Sequence, residues 1–120
     1  MYSERLLDHF QNPRNVGELP APAITFEVSN PACGDILRLS VRVEGDLILD
    51  ARYKVRGCTA SIAAGSALTE LVIGKTRREV ASLSAKAIEE AVGGLAPESK
   101  HAAVLSMDGV KALLRRWDGL

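Results

Sequence analysis

Four side chains of types that bind transition metals stand out in this sequence, and turn residues surround two of them. Cys33 and Asp35 lie in residues 30–35, which read NPACGD. Pro, Gly and Asp favour tight turns, so we expect the thiol and the carboxylate on one exposed loop. Cys58 lies in a second turn of small residues, and His101 opens the last predicted helix. Two thiols, a carboxylate and an imidazole are a candidate four-ligand metal site.

The two cysteines have different local settings. Cys58 ends a predicted strand just before a helix, where free N–H groups and the positive end of the helix dipole favour a thiolate. Cys33 is flanked by Ala32 and Gly34, which leave room for a bulky ligand. Because Asp35 is two positions from Cys33, both side chains can point to one side of an extended loop. Cys58 is therefore predisposed to bind metal or to attack sulfur, and one loop can supply both a sulfur and an oxygen ligand.

Each of these residues also has a structural explanation. Cys33 can instead be an inert loop residue, and Cys58 can be a small core residue at the junction of strand and helix, because free cysteines are usually buried. Asp35 is typical of Asx turns, and a lone helical histidine such as His101 is more often structural than a metal ligand. We assign His9 to the surface of the first helix. The chain has no CxxC pair, so local spacing alone is a weak metal signal.

Composition limits the possible function classes. A chain of 120 residues predicts one domain over residues 1–120 that buries about two thirds of its unfolded surface, so it needs no metal merely to fold. The 15 basic and 15 acidic residues cancel, and no basic cluster is interleaved with aromatics, which argues against nucleic acid as a partner. No apolar run approaches the ~20 residues of a membrane span. We therefore expect a cytoplasmic protein without membrane contact.

Alternating apolar and polar residues predict three strands. The apolar positions, expected to face inward, are Ile24, Phe26 and Val28 in the first run, Leu37, Leu39, Val41 and Val43 in the second, and Leu47, Leu49, Ala51, Tyr53 and Val55 in the third. Short turns join the runs, so we expect an antiparallel meander with one apolar face and one charged face open to water.

Helical periodicity covers much of the remaining chain. The predicted helices span residues 3–11, with Leu6, Leu7 and Phe10 on one stripe, then 61–73, 76–82 and 84–92, and a final helix after Pro97 with Val104, Met107, Val110, Leu114 and Trp117 facing inward. The helix over 61–73 is expected to be largely buried against the sheet. Strands followed by helices predict an α+β fold, a three-stranded antiparallel meander covered on one face by helices.

Several long motifs occur in order along nearly the whole chain. They are YSE at 2–4, DH at 8–9, NPRNVG at 12–17, NPACGD at 30–35, DARYK at 50–54, GC at 57–58 and SIA at 61–63. In these motifs the chain resembles the IscU/NifU N-terminal family of iron–sulfur cluster scaffolds. The resemblance implies an IscU/SufE-like fold on which a cysteine desulfurase and an iron supply build a [2Fe-2S] cluster for apo iron–sulfur proteins, or on which Zn²⁺ occupies the same site. By this resemblance, the residues expected to bind the cluster or the zinc are Cys33, Asp35, Cys58 and His101.

Two departures from the family pattern affect function. Where the family reads His-Cys-Ser, this chain reads His101-Ala102-Ala103, so the third cysteine, a cluster ligand and persulfide acceptor in the family, is absent. Residues 95–99 read LAPES in place of LPPVK, which argues against a dedicated Hsp70-type chaperone partner. The resemblance then implies a scaffold or carrier, not an enzyme, that holds a cluster, iron or zinc transiently. We expect a monomer or weak dimer.

Two alternatives stay open. In one, the protein is a zinc-bound persulfide acceptor, with Cys33 or Cys58 receiving sulfur from the desulfurase. In the other, it is a degenerate regulatory module that docks the desulfurase without transfer. The zinc-dependent sulfur acceptors related to the family usually carry an insertion before the last helix and lack the histidine. The presence of His101 and the absence of room for an insertion place this chain nearer the scaffolds.

Overall fold

A three-stranded sheet and a layer of helices make up residues 2–31 and 34–119, which the computed structural model describes. The elements are α1 (Glu4–Gln11), β1 (Ile24–Ser29), β2 (Ile36–Glu44), β3 (Leu47–Arg56), α2 (Thr59–Val72), α3 (Arg77–Ala81), α4 (Ala85–Ala91) and α5 (His101–Asp118), with a 3-10 turn at Pro97–Ser99. The sheet is antiparallel in the order β1-β2-β3, which confirms the predicted α+β meander. Within these residues, no helix combines the length and apolar character needed to cross a bilayer.

One face of the sheet packs against α2 and α5. Leu39 of β2 pairs with Tyr53 of β3, and both side chains are buried. The helices approach closely because each has a glycine at the contact. A Cβ at Gly65 would lie 2.6 Å from the Tyr53 ring, and one at Gly109 would lie 2.8 Å from Leu37 Cδ2. Larger side chains at these two positions would push the helices away from the sheet.

The start of β3 departs from the predicted alternation. Leu47 and Leu49, expected to face inward, are 37% and 41% exposed, whereas Ile48 is fully buried. The pairing with β2 passes directly from Ile48 to Asp50, so Leu49 is the extra residue of a β-bulge. A bulge inserts one residue into the period of two and exchanges the two faces of the strand. The prediction for Leu47 and Leu49 is therefore wrong.

The segment between α1 and β1 covers part of the sheet face that was expected to be open. Ser40 on that face is 1% exposed, and its Oγ accepts a hydrogen bond from the backbone N–H of Leu19 at 3.0 Å. The same segment follows the edge of β3, where Tyr53 N donates to Asn15 O at 2.9 Å and Gly17 N donates to Tyr53 O at 3.0 Å. The charged face is thus only partly open to water.

In α5 the buried face is rotated from the predicted stripe. Of the five residues expected to face inward, Val110 and Trp117 are buried, Met107 and Leu114 are half-buried, and Val104 is 50% exposed. Leu105 and Leu113 are buried instead. Gly109 lies at the contact with the sheet, so small residues mark the inward side of this helix and a search for large apolar residues misses it.

His9 is buried, contrary to its expected surface position. It is 7% exposed, and its Nδ1 hydrogen-bonds to Ser66 Oγ of α2 at 2.8 Å. Leu6 is also buried, but Leu7 and Phe10, predicted on the same stripe, are each 37% exposed. The polar contact to Ser66 therefore orients α1 so that one histidine and one leucine face the core.

The burial of His9 leads us to expect that the folded protein loses stability in mild acid. Burial lowers the pKa of His9 below its ordinary 6.5, with Arg14 acting in the same direction and Glu70 and Asp8 against it. Because the unfolded chain binds this proton at higher pH than the folded chain, stability falls as the pH drops below about 6.5. The free energy of unfolding in urea should decrease from about pH 7 to pH 5 in the wild type, and less in His9→Gln.

Phe10→Gln, at an exposed position of α1, is the control for a substitution in this helix. It should keep the wild-type pH dependence of stability. An identical pH dependence in His9→Gln and wild type would rule out His9 as its source.

Candidate metal centre

Three of the four predicted ligand residues come together in space. One carboxylate oxygen of Asp35, the Sγ of Cys58 and one ring nitrogen of His101 all lie within 4.8 Å of one another. Cys58 Sγ is 3.3 Å from His101 Nε2, which in turn is 3.7 Å from Asp35 Oδ2. Cys33 lies outside the described residues. Sequence spacing could not show whether His101 reaches the cysteine loops; the structure places it beside Cys58.

Each of the three residues lies at the end of an element. Asp35 immediately precedes β2, Cys58 is the N-cap residue of α2, and His101 is the first residue of α5. Antiparallel pairing sets Ile36, the first residue of β2, opposite Arg56, the last residue of β3. The residue before β2 and the turn after β3 are therefore neighbours, which brings Asp35 to Cys58.

Two glycines allow the carboxylate to approach this turn. Gly34 has φ +75°, a conformation that other residues rarely adopt, and its N–H donates to Asn30 O at 2.7 Å. Gly57 lies directly against Asp35, since a Cβ built at Gly57 would be 2.4 Å from Asp35 Cγ. Only hydrogen fits at position 57 while the carboxylate stays where it is.

The carboxylate of Asp35 caps α2 from outside the helix. Its Oδ2 accepts a hydrogen bond from the Ser61 hydroxyl at 2.6 Å and a longer one from the backbone N–H of Cys58 at 3.4 Å. The side chain of Cys58 itself makes no capping hydrogen bond. An anion is stabilised here because the first N–H groups of a helix are free and carry its positive dipole end. Asp35 is therefore held at the start of α2 mainly by the Ser61 hydroxyl.

Hydrogen bonds keep Asp35 ionised although it is only 6% exposed. Burial raises the pKa of Asp35, but hydrogen bonds from Ser61 and Cys58, together with the neighbouring His101 imidazole, outweigh burial and hold this pKa below its ordinary value. Asp35 is thus a carboxylate at neutral pH. Cys58 is half-buried and the His101 side chain is 28% exposed, so both can be reached from solvent.

The donor set fits a tetrahedral transition-metal site. Metal–ligand distances of about 2.3 Å to sulfur and 2.0 Å to nitrogen separate the two ligand atoms by about 3.5 Å, and Cys58 Sγ and His101 Nε2 are 3.3 Å apart. Thiolate and imidazole suit zinc and the iron of iron–sulfur clusters, whereas a carboxylate is a harder ligand. Asp35, Cys58 and His101 could fill three of the four positions, and the family resemblance predicts Cys33 as the fourth.

Sequence reasoning noted Ser61 and Gly57 only as parts of family motifs and gave neither residue a role at this centre. Neither is a ligand, so a search for metal-binding side chains passes over them. The spacing of Ser61 was an available signal, because it is the third helical residue after the N-cap residue Cys58. Side chains at the N-cap and three residues later lie on the same side of the first turn.

Comparisons with known proteins agree on one family. Residues 1–119 match the family model described as NifU-like N terminal domain. The iron-sulfur cluster assembly scaffold protein IscU of Azotobacter vinelandii is 42% identical over 118 residues, covering 95% of this chain and 91% of the relative. The bifunctional protein NifU/MnmA of Rubrobacter xylanophilus is 46% identical over 111 residues, 91% of this chain, but the match spans only 23% of that protein.

The fold also occurs in solved structures. A structure from Fervidobacterium islandicum, described as a candidate iron-sulfur cluster assembly scaffold protein for the SUF system, superposes with a TM-score of 0.75. The match covers 94% of this chain and 96% of that one at 21% identity. At this identity the likeness shows the fold, which agrees with the sheet and helices described above.

Gly57→Ala should displace the Asp35 carboxylate, because the new Cβ would lie 2.4 Å from Asp35 Cγ. We expect the free energy of unfolding, measured in urea, to fall by about 1–3 kcal/mol, the usual cost of overpacking. Gly119→Ala is the matched control, since its Cβ would meet no atom closer than 3.5 Å. It should change stability by less than about 0.5 kcal/mol. Equal effects of the two substitutions would contradict a special constraint at Gly57.

Proposed function

This chain belongs to the family of NifU-like N-terminal domains, and from that premise we propose that it is an iron–sulfur cluster assembly scaffold or carrier. Its cargo is a [2Fe-2S] cluster, or iron or zinc at the same ligands, held transiently and passed to apo-proteins. The observation that carries the proposal is the convergence of the Asp35, Cys58 and His101 ligand atoms within 4.8 Å. The scaffold name of the Azotobacter vinelandii relative supports the same function.

Asp35, Cys58 and His101, with Cys33 as the fourth residue, are the proposed ligands of the cargo. Thiolates bind the irons of clusters strongly, and histidine can replace cysteine on an iron. The carboxylate of Asp35 is a weaker partner for iron or zinc than a thiolate. A mixed ligand set therefore holds its cargo less firmly than four thiolates, which suits a protein that must release it.

The differing exposure of the ligands supports transfer from the folded protein. Asp35 is 6% exposed and anchored to the N-terminus of α2. Cys58 and His101 are both partly open to solvent. Ligands of a recipient protein can thus approach the cargo from the side of the thiol and the imidazole while the carboxylate stays in place.

The proposed partners are a cysteine desulfurase as sulfur donor and apo iron–sulfur proteins as recipients. Cys33 and Cys58 are the two thiols available to accept sulfur as persulfide. The names of the relatives favour the scaffold over a zinc-bound persulfide acceptor or a regulatory desulfurase-binding module. A carrier role without catalysis, in the cytoplasm, completes the proposal.

Reconstitution tests the proposal. Wild-type protein incubated anaerobically with ferrous iron, cysteine, a desulfurase and a thiol reductant, which reduces the persulfide sulfur to sulfide, should develop the visible charge-transfer absorption of an iron–sulfur cluster. Cys58→Ser and Cys33→Ala should lose this absorption because each lacks one ligand. Val104→Ala, at an exposed position one turn after His101, is the control and should reconstitute normally. Failure of the wild type to bind either iron or zinc stoichiometrically would overturn the proposal.

Ala102→Cys should improve cluster retention, because it restores the thiol that the family carries beside the histidine. Roughly tenfold slower loss of the cluster to a chelator is expected, equivalent to about 1.4 kcal/mol for the added ligand. Ala103→Cys is a matched control, since both alanines are buried but neighbouring helical side chains point about 100° apart. An equal gain in both variants, or none in Ala102→Cys, would contradict the proposed ligand geometry.

A further inference from the structure

The hydroxyl of Ser61 joins two of the three ligand residues. It donates a hydrogen bond to Asp35 Oδ2 at 2.6 Å and accepts one from the Cys58 thiol at 3.4 Å. Ser61 is 1% exposed, so bulk solvent does not compete for either bond. One buried side chain therefore contacts both the oxygen and the sulfur that converge on the candidate centre.

We propose that Ser61 is a positioning residue, which holds the Asp35 carboxylate in the arrangement in which it can bind one metal ion together with the Cys58 sulfur. This inference rests on the proposed function and extends it to a residue that is not itself a ligand. In the metal-bound state the Cys58 thiol proton is lost, and the bond from Ser61 to Asp35 remains. Ser61 then fixes the carboxylate, the weakest of the ligands.

No other described contact of Asp35 replaces this restraint. The bond from the Cys58 N–H is 3.4 Å long and therefore weak. His101 Nε2 is 3.7 Å from Asp35 Oδ2, which is beyond hydrogen-bond distance, and Gly57 provides room for the carboxylate but no hydrogen bond to hold it. Without the Ser61 hydroxyl, a carboxylate that is 6% exposed loses its shortest hydrogen bond and gains by turning towards water. Removing such an outer partner of a metal ligand typically lowers metal affinity by about 10- to 100-fold.

A second buried serine in α2 provides a matched control. Ser66 is 0% exposed, and its Oγ hydrogen-bonds to His9 Nδ1 at 2.8 Å and accepts from Arg14 N at 2.9 Å. Neither partner belongs to the candidate centre. Replacing Ser66 with alanine removes a buried hydroxyl from the same helix without touching a ligand.

The experiment measures zinc affinity by chelator competition, and the visible spectrum of the Co²⁺-substituted protein, on the full chain. Ser61→Ala should bind zinc about 10- to 100-fold more weakly and show shifted Co²⁺ ligand-field bands. Ser61→Thr keeps the hydroxyl and should restore the zinc affinity and the Co²⁺ spectrum of the wild type. Ser66→Ala should leave the affinity and the spectrum unchanged. In metal-free protein, the Cys58 amide should exchange its hydrogen faster in Ser61→Ala than in Ser66→Ala, because its acceptor has moved.

Three negative outcomes are distinguishable. If Ser61→Ala kept the wild-type zinc affinity, Co²⁺ spectrum and Cys58 amide exchange, the positioning role would be overturned. The proposed function would still stand. A wild-type protein that binds neither metal would overturn the proposed function and this inference with it. Equal loss of affinity in Ser61→Ala and Ser66→Ala would show a general stability effect and also overturn the positioning role.

Discussion

The candidate centre depends on the hydrogen bonds that the Asp35 carboxylate accepts at the N-terminus of α2. This carboxylate links the loop before β2 to the Ser61 hydroxyl and Cys58 N–H of α2. A buried carboxylate is tolerated only where hydrogen bonds and a positive dipole end offset its lost hydration. The hydrogen bonds that Asp35 accepts from Ser61 and Cys58 thus also hold the carboxylate beside the thiol.

His101 reaches the centre through the packing of α5. Gly109 lets this helix lie close to Leu37 of the sheet, and Lys100, just before His101, forms a salt bridge with Glu89 of α4. These contacts place the start of α5 so that His101 Nε2 is 3.3 Å from Cys58 Sγ. The imidazole is therefore supplied by a third element of the fold, in addition to the loop that carries Asp35 and the turn that carries Cys58.

Sequence periodicity predicted the meander and most of the helices, because period two and helical spacing are local properties. Periodicity failed where non-local contacts decide which side chains are buried. Examples are Leu49 in the bulge and His9, whose partner Ser66 is 57 residues away. The family motifs predicted the ligand residues, but the distance from His101 to Cys58 depends on how α5 packs. Ser61 contributes a hydrogen bond and no metal-binding group, so its spacing from Cys58 hints at a role and the three-dimensional contacts identify its partners.

X-ray absorption spectroscopy of the zinc-loaded full chain most directly tests whether Asp35, Cys58 and His101 bind one ion. The expected first shell contains sulfur near ~2.3 Å together with nitrogen and oxygen near ~2.0 Å, and its sulfur component should shrink in Cys58→Ser. A shell of nitrogen and oxygen alone, or a sulfur component that Cys58→Ser leaves unchanged, would contradict a shared metal centre.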